Sequence, residues 1–94
     1  MKRRLKGLRS QRKVRDYLLA KGWDKVYVIH HSRWSKDIWG LFDGFAIKKD
    51  VVMFFQVKTN KKPSMKPFRE FYDKYNIPVK VFVVKDRKGV FEVR

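Results

Sequence analysis

The apolar and polar positions of residues 42–58 predict a β-hairpin at the centre of the chain. Apolar residues dominate segments 42–47 and 51–57, and a short polar turn at 48–50 separates them. Two apolar segments that meet at such a turn are typical of paired antiparallel strands. Segment 51–55 is apolar on both faces, which favours a central strand that is covered on both sides of the sheet.

Two further segments have the three- and four-residue apolar spacing of amphipathic helices. The first runs from Leu8 to about Lys21 and stops at Gly22, in the manner of a C-terminal glycine cap. The second runs from Ser64, the predicted N-cap, to about Tyr75. The exposed face of the first helix is predicted to carry four polar residues, Arg9, Arg12, Lys13 and Asp16.

The remaining strands are predicted at residues 25–30, 79–85 and 90–94, which gives the order α-β-β-β-α-β-β. The connection from the third strand through the second helix to the fourth strand is a right-handed crossover, so those two strands are expected to be parallel. The predicted fold class is therefore α/β, in the form of an α+β mixed sheet that is flanked by helices.

The length of 94 residues is typical of one domain. We assign residues 1–94 to that domain, with residues 1–6 as a basic N-terminal arm. The hydrophobic content of 44% is sufficient for a core and argues against disorder. The chain contains no cysteine, which excludes a disulfide framework and a thiolate metal site and fits the cytoplasmic location that we expect.

The charge balance narrows the range of partners. Twenty-five Lys and Arg residues stand against nine Asp and Glu residues, for a formal net charge of +16. An excess of this size in a short chain indicates a polyanionic partner, and nucleic acid is the simplest one. The basic residues are spread through the chain, and no segment approaches the ~20 apolar residues of a membrane span, so we expect no membrane partner.

A loop predicted over residues 31–40 combines aromatic, basic and hydroxyl side chains. Such a loop can grip a nucleic-acid backbone while its rings stack on bases. Trp34 is expected to be exposed and Trp39 to belong to the core. His30 and His31 point to opposite faces of a strand and lack further ligands, which argues against zinc. The residues expected to contact nucleic acid include Arg9, Arg12, Ser32, Arg33, Trp34, Ser35, Lys36 and Lys61.

Asp43, Gln56 and Lys58 are the candidate functional residues of the hairpin. Gln56 and Lys58 point to the same face of their strand, and strand pairing can bring Asp43 beside them. A carboxylate, a side-chain amide oxygen and a backbone carbonyl are hard ligands that suit Mg²⁺. Lys58 can orient a water molecule or offset phosphate charge; alternatively, it is only the solvated end of a strand. Asp37 is the one other acid that can reach the site.

Neighbouring predicted strands carry two motifs, Phe42-Asp43-Gly44-Phe45-Ala46 and Phe55-Gln56-Val57-Lys58-Thr59. These motifs resemble the acid strand and the Glu-x-Lys strand of the PD-(D/E)XK nuclease superfamily. Within it, the chain is similar to archaeal-type Holliday-junction resolvases and their viral relatives, over nearly its whole length. The resemblance implies a restriction-endonuclease-like fold and a homodimer that cleaves branched DNA with Mg²⁺, for which Mn²⁺ can substitute.

The resemblance also implies individual roles. It gives three catalytic positions, Asp43, Gln56 and Lys58, and three metal-ligating positions, Asp43, Gln56 and the backbone carbonyl of Val57. Gln11 stands where the family places a glutamate on its first helix, and we include it among the nucleic-acid contacts. Ser32 or Ser35 matches a loop serine that contacts the scissile phosphate.

The sequence departs from the family pattern at three positions. The glutamates of helix one and strand three are Gln11 and Gln56 here, and the proline before the acid is Phe42. An amide supplies an oxygen but no charge. Three functions therefore remain open: a metal-dependent endonuclease, a DNA-binding module that has lost its metal, and an RNA-binding accessory protein. A dimer interface could use three aromatic residues that could equally belong to the core, Phe71, Tyr75 and Phe91.

Overall fold

A mixed sheet of five strands carries the fold, with a helix packed on each of its faces. The computed structural model describes residues 2–29 and 37–93, with side chains from Leu8 onward. Within these residues the helices are α1 (Lys2–Ala20) and α2 (Lys66–Tyr75), and the strands are β1 (Lys25–Val28), β2 (Gly44–Lys48), β3 (Val51–Thr59), β4 (Val79–Lys85) and β5 (Gly89–Val93). The predicted element order and the α+β mixed-sheet class are therefore confirmed.

The strands lie in the sheet in the order in which they occur along the chain, from β1 at one edge to β5 at the other. β3 and β4 pair in parallel, and the other three neighbouring pairs are antiparallel. The parallel pair confirms the prediction that the connection through α2 crosses over the sheet. β3 lies at the centre of the sheet, as predicted. Its first two residues, Val51 and Val52, are 42% and 40% exposed, so the predicted cover on both sides does not extend over the whole of segment 51–55.

Alternate side chains of β3 face the two helices. One cluster joins α1 to the sheet through Val14, Leu18, Phe55 and Val57. A second cluster joins α2 to the opposite face through Phe42, Phe54, Phe68 and Val81. Because successive side chains of a strand point to opposite faces, Gln56 and Lys58 lie on the same face of the sheet as Phe54.

The starts of both helices differ from the prediction. α1 begins at Lys2, so residues 2–6 continue the helix and do not form a separate arm. The N-cap residue of α2 is Met65 and not Ser64, because Pro67 occupies the first turn and sets the start of the helix at Lys66. Ser64 Oγ accepts a hydrogen bond from the N–H of Lys66 at 3.4 Å. Neither described helix is sufficiently long and apolar to cross a membrane.

Trp39 is 68% exposed, so the prediction that it belongs to the core is wrong. It lies in the turn between Ile38 and Phe42, where its backbone adopts a left-handed conformation with φ 51°. In this turn the indole ring packs against Phe54 and Phe71, and most of the surface of the ring lies outside the core.

Candidate functional site

Asp43 is the centre of the candidate site, and backbone hydrogen bonds hold it from both sides. Its N–H donates to the carbonyl oxygen of Phe55 at 2.8 Å, and its own carbonyl accepts from the N–H of Ile29 at 2.9 Å. Asp43 is only 5% exposed. An acidic residue is rarely buried to this degree without partners, so the contacts of its carboxylate determine what the site can do.

Gly44 brings the strand after Asp43 unusually close to β1. A Cβ atom at Gly44 would collide with the carbonyl oxygen of Tyr27 and would come within 2.8 Å of the ring of Phe55. Only glycine therefore fits at this position without moving the neighbouring strand. An isolated glycine inside a strand pattern signals such a close approach, so this feature was readable from the sequence although we did not predict it.

Phe42 anchors the chain on the other side of Asp43. Its ring is fully buried, with centroids 5.3 Å from Phe54 and 5.0 Å from Phe71. Burying a side chain of this size contributes about 1.5–3 kcal/mol. Packing in this aromatic cluster is thus a structural reason for phenylalanine at position 42, where the family that the sequence resembles has a proline.

Amide N–H groups from α1 and β3 surround the carboxylate of Asp43. The backbone N–H of Val57 donates to Oδ2 at 2.7 Å, and Nε2 of Gln11 donates to Oδ1 at 3.3 Å. Such donors favour the ionised carboxylate, which makes a buried charge tolerable. Val57 therefore reaches Asp43 through its N–H, and metal binding by its carbonyl oxygen remains a prediction.

The side-chain amide of Gln56 lies between two oxygen atoms, the carbonyl oxygen of Leu41 and Oδ2 of Asp43. Both oxygens are acceptors, so the amide nitrogen faces them. Nε2 donates to the Leu41 carbonyl at 3.2 Å and also to the carboxylate. Gln56 is 7% exposed. In this orientation the Gln56 amide donates a hydrogen bond to Asp43 and so stabilises its negative charge. A bound cation would stabilise the same charge.

Gln11 contributes a buried oxygen, Oε1, which has no hydrogen-bond partner among the described residues. An unpaired buried oxygen costs about 1–3 kcal/mol of folding free energy. A cation or a hydrogen-bond donor that reached Oε1 would remove this cost. In residues 2–29 and 37–93, no group of three or more His, Cys, Asp and Glu side chains could share an ion. Carboxylate and amide oxygens are ligands that Mg²⁺ accepts. The amide nitrogens of Gln11 and Gln56 face Asp43, so both amides would have to rotate before their oxygens could join its carboxylate around a cation.

Lys58 follows Gln56 by two residues and lies on the same face of β3. It is half-buried, and its ammonium group makes no hydrogen bond or ion pair to the residues that the structure describes. The ammonium group of Lys58 is therefore available to a phosphate or a water molecule. At the next position, Oγ1 of Thr59 lies 2.6 Å from Oγ of Ser10, and this hydrogen bond joins α1 to the end of β3.

Basic side chains border the site on α1 and after β3. Arg9, Arg12 and Lys61 are exposed. Arg12 and Gln11 also line a small hollow of about 190 Å³ between α1 and β1, so Gln11 is part of the buried site and borders a basic surface. Asp37, the other acid predicted near the site, is half-buried. Several predicted residues lie outside the described residues, namely His30, His31, Ser32, Arg33, Trp34, Ser35 and Lys36.

Two contacts that complete the site have no signature in the sequence. Leu41 takes part through a backbone carbonyl, which any residue type possesses, and Ser10 meets Thr59 across 49 positions of the chain. No protein-family model, curated protein or solved structure is significantly similar to this chain.

Proposed function

We propose that this chain is a metal-dependent endonuclease with a restriction-endonuclease-like fold that cleaves phosphodiester bonds in DNA. One observation carries the proposal: Gln11, Asp43 and Gln56, the three positions at which the family that the sequence resembles has acids, meet at one place, with both amides within hydrogen-bond distance of the carboxylate. Lys58 follows on the same face of β3, and the net charge of +16 favours a polyanionic substrate. A buried carboxylate with two side-chain amides, a lysine on the same face of β3 as Gln56 and the excess of basic residues together support the proposal.

Each residue of the site has a role in this chemistry. Asp43 would supply the charged oxygen of a metal site. Gln11 and Gln56 would supply neutral oxygens after rotation of their amides, whose nitrogens face Asp43. A bound divalent ion would polarise the scissile phosphate and activate the attacking water. Lys58 would stabilise the negative charge that develops on the phosphate oxygens, because its half-buried ammonium group has no competing partner among the described residues.

Branched or otherwise structured DNA is the substrate that we propose, with two copies of the chain acting together. Paired cuts across a branch need two active sites, which a two-fold dimer provides. Of the aromatic residues considered for the interface, Tyr75 is 53% exposed and Phe91 is 44% exposed, whereas Phe71 packs mainly against the core.

A DNA-binding module without catalysis is the second candidate, and the hydrogen bonds of Asp43 favour it. The N–H groups of Val57, Gln11 and Gln56 already stabilise the buried carboxylate without a cation. A site satisfied in this way does not need metal in order to fold. In such a module, Lys58 would contact phosphate and would have no catalytic role.

Cleavage assays separate the candidate functions. Labelled junction, flap, duplex and single-stranded DNA, together with matching RNA, are incubated with Mg²⁺ or Mn²⁺. We expect branched DNA to be cleaved, and faster with Mn²⁺, which binds the same oxygen ligands more strongly. Absence of cleavage with either metal on every substrate would favour the binding module. Binding that is restricted to RNA would favour the accessory protein.

Two lysine variants control for the position of the active site. Lys58→Ala should lower the cleavage rate by about 100-fold, which is the order of magnitude for loss of one charge-stabilising group. Lys49→Ala removes the same charge from the exposed β2–β3 turn, at the other end of β3, about 25 Å away along an extended strand. It should leave the rate unchanged, and equal effects of the two substitutions would contradict a catalytic role for Lys58.

DNA binding should weaken steeply as the salt concentration rises. Five predicted phosphate contacts, at Arg9, Arg12, Arg33, Lys36 and Lys61, give a log–log slope of about −4 or steeper at ~0.9 per contact. Alanine at any one of them should reduce the slope by about 1, whereas Lys49→Ala should not change it. Fluorescence anisotropy at several NaCl concentrations measures the slope, and a flat response would contradict a surface that binds the DNA backbone.

A further inference from the structure

A groove lined mainly by aromatic and aliphatic side chains adjoins the candidate site. Trp39, Leu41, Phe71 and Tyr75 line this aromatic groove, whose volume is about 590 Å³. Trp39 is 68% exposed and Tyr75 is 53% exposed, so the rings of its walls are accessible to a ligand. The cleavage chemistry proposed above uses none of these rings, and a ligand in the groove would exclude Tyr75 from a dimer interface.

Contacts between the rings hold the walls of the aromatic groove in place. Trp39 stacks on Phe71 with a centroid distance of 5.8 Å and an angle of 29° between the ring planes. Phe71 in turn lies 4.8 Å from the ring of Tyr75. Rings that are oriented before binding offer flat surfaces to a planar ligand at a low cost in conformational entropy. Nucleobases are planar ligands that stack on such rings irrespective of sequence.

The charged residues that line the aromatic groove favour a base over a phosphate inside it. Glu70 and Lys74, one turn apart on α2, line the groove together with the rings. The carboxylate of Glu70 would repel a phosphate but can accept a hydrogen bond from the N–H group of a base edge. Lys74 can pair with a phosphate that flanks that base. A nucleotide strand carries both groups in this arrangement, and the net charge of +16 attracts it.

Leu41 connects the aromatic groove to the candidate site. It lines the groove, and its backbone carbonyl accepts the hydrogen bond from Nε2 of Gln56 at 3.2 Å. Leu41 is also two residues from Asp43, which limits their separation to about 7 Å. A base in the groove and a phosphate at Asp43 can therefore belong to neighbouring nucleotides of one strand.

We propose that the aromatic groove binds an unpaired nucleobase of the DNA strand whose phosphate lies at Asp43. That the ligand is DNA rests on the proposed function. The groove and its rings are features of the structure whether or not the chain cleaves DNA. A base can enter only when it is unpaired, because a paired base is stacked within the duplex. The groove therefore directs the site to single-stranded segments and branch points and away from continuous duplex.

Binding measurements on two single strands test this proposal. The probes are a labelled oligothymidylate and an abasic deoxyribose-phosphate strand of the same length, titrated with protein in EDTA so that no strand is cut. Trp39→Ala should weaken binding of the oligothymidylate by about ten-fold, which is typical of one lost stacking contact. It should not change the affinity for the abasic strand. Tyr72→Ala is the matched control, because Tyr72 is 48% exposed on α2 but lines a different hollow.

Each outcome decides one part of the proposal. Equal affinity of the wild type and Trp39→Ala for the oligothymidylate would overturn it, as would an equal loss for both strands. Wild-type self-association that Trp39→Ala abolishes, measured by analytical ultracentrifugation, would assign the groove to a second copy and would also overturn it. If the wild type binds neither strand, nor a duplex of the same length titrated in parallel, the proposed function itself fails; binding to the duplex alone would overturn the base-binding groove. A ten-fold loss that is confined to the oligothymidylate supports the base-binding groove.

Discussion

Asp43→Asn should reduce DNA cleavage by about a thousand-fold or more and should leave DNA binding intact or tighter. The substitution removes the buried carboxylate on which a cation at this site depends. A catalytic metal ion contributes several kcal/mol of transition-state stabilisation, and each ~1.4 kcal/mol is a factor of ten in rate. Binding should not weaken, because the change also removes a negative charge that repels phosphate.

The fold should accommodate asparagine at this position. Oδ1 of the new side chain can accept the hydrogen bond from the N–H of Val57, as Oδ2 of Asp43 does now. Its NH₂ group would face Nε2 of Gln11, so the Gln11 amide must rotate. Oε1 of Gln11 then accepts from the new NH₂ group, and Nε2 replaces Oε1 as the atom without a partner among the described residues. We therefore expect the free energy of unfolding to change by about 1 kcal/mol or less, so a loss of cleavage would not reflect a loss of structure.

Asp43→Ala is the informative contrast. It removes the acceptor for buried N–H groups of Val57, Gln11 and Gln56, and each unsatisfied donor costs about 1–3 kcal/mol. Denaturation in urea should show a loss of stability of about 3 kcal/mol or more. Full cleavage activity in the asparagine variant would remove Asp43 from the active site. Equal stability of the two variants would contradict the hydrogen-bond network.

The local chemistry of the chain was sufficient to predict the sheet. Segments rich in β-branched and aromatic residues became strands, and the polar residues Lys49 and Asp50 became the hairpin turn. The parallel pairing of β3 and β4 followed from the crossover through α2. These features depend on the periodicity of short segments and on connection geometry, and both can be read without knowing the tertiary contacts.

Positions that depend on tertiary packing were not predictable in the same way. An apolar ring such as Trp39 suits a core, but its exposure depends on the turn at residues 38–42 and on the rings of α2 beneath it. Similarly, Ser64 has the chemistry of an N-cap, whereas the helix has its N-cap one residue later, at Met65, with Pro67 in its first turn. In both cases several residues compete, and the residue type alone does not decide the outcome.

The candidate site was predictable to an intermediate extent. Strand parity put Gln56 and Lys58 on one face, and hairpin pairing indicated that Asp43 can lie beside them. The contact between Gln11 and Asp43 spans 32 positions, and only the family resemblance indicated it. The orientation of the Gln56 amide depends on the backbone carbonyl of Leu41, which no pattern of side chains can reveal.

Gln56→Glu should make the stability of the protein depend on a divalent metal ion. The substitution replaces an N–H donor with a second carboxylate beside Asp43, where both residues are less than a tenth exposed. It also leaves the carbonyl oxygen of Leu41 without its donor. A buried charge without a compensating partner costs about 3–5 kcal/mol, so in EDTA the variant should be much less stable than the wild type.

Mn²⁺ or Mg²⁺ should reverse this loss, because a cation between the two carboxylates removes their repulsion. An ion at 100 times its dissociation constant stabilises the folded state by about 2.7 kcal/mol. We therefore expect the Tm of Gln56→Glu to rise steeply with metal concentration and its cleavage activity to be kept. If the variant is unfolded in EDTA, adding Mn²⁺ should refold it.

Gln56→Ala separates an oxygen ligand from a structural donor at this position. Alanine removes both the amide oxygen and the N–H groups but adds no charge, so this variant should gain no metal-dependent rise in Tm and should lose most of its cleavage activity. Thermal melts and cleavage rates of the wild type and both variants, first in Mg²⁺ and then in Mn²⁺, test these expectations. If Gln56→Glu melts at the same temperature with and without Mn²⁺, no metal binds at Asp43. The amides of Gln11 and Gln56 are then structural donors to a buried carboxylate, and the DNA-binding module becomes the preferred function.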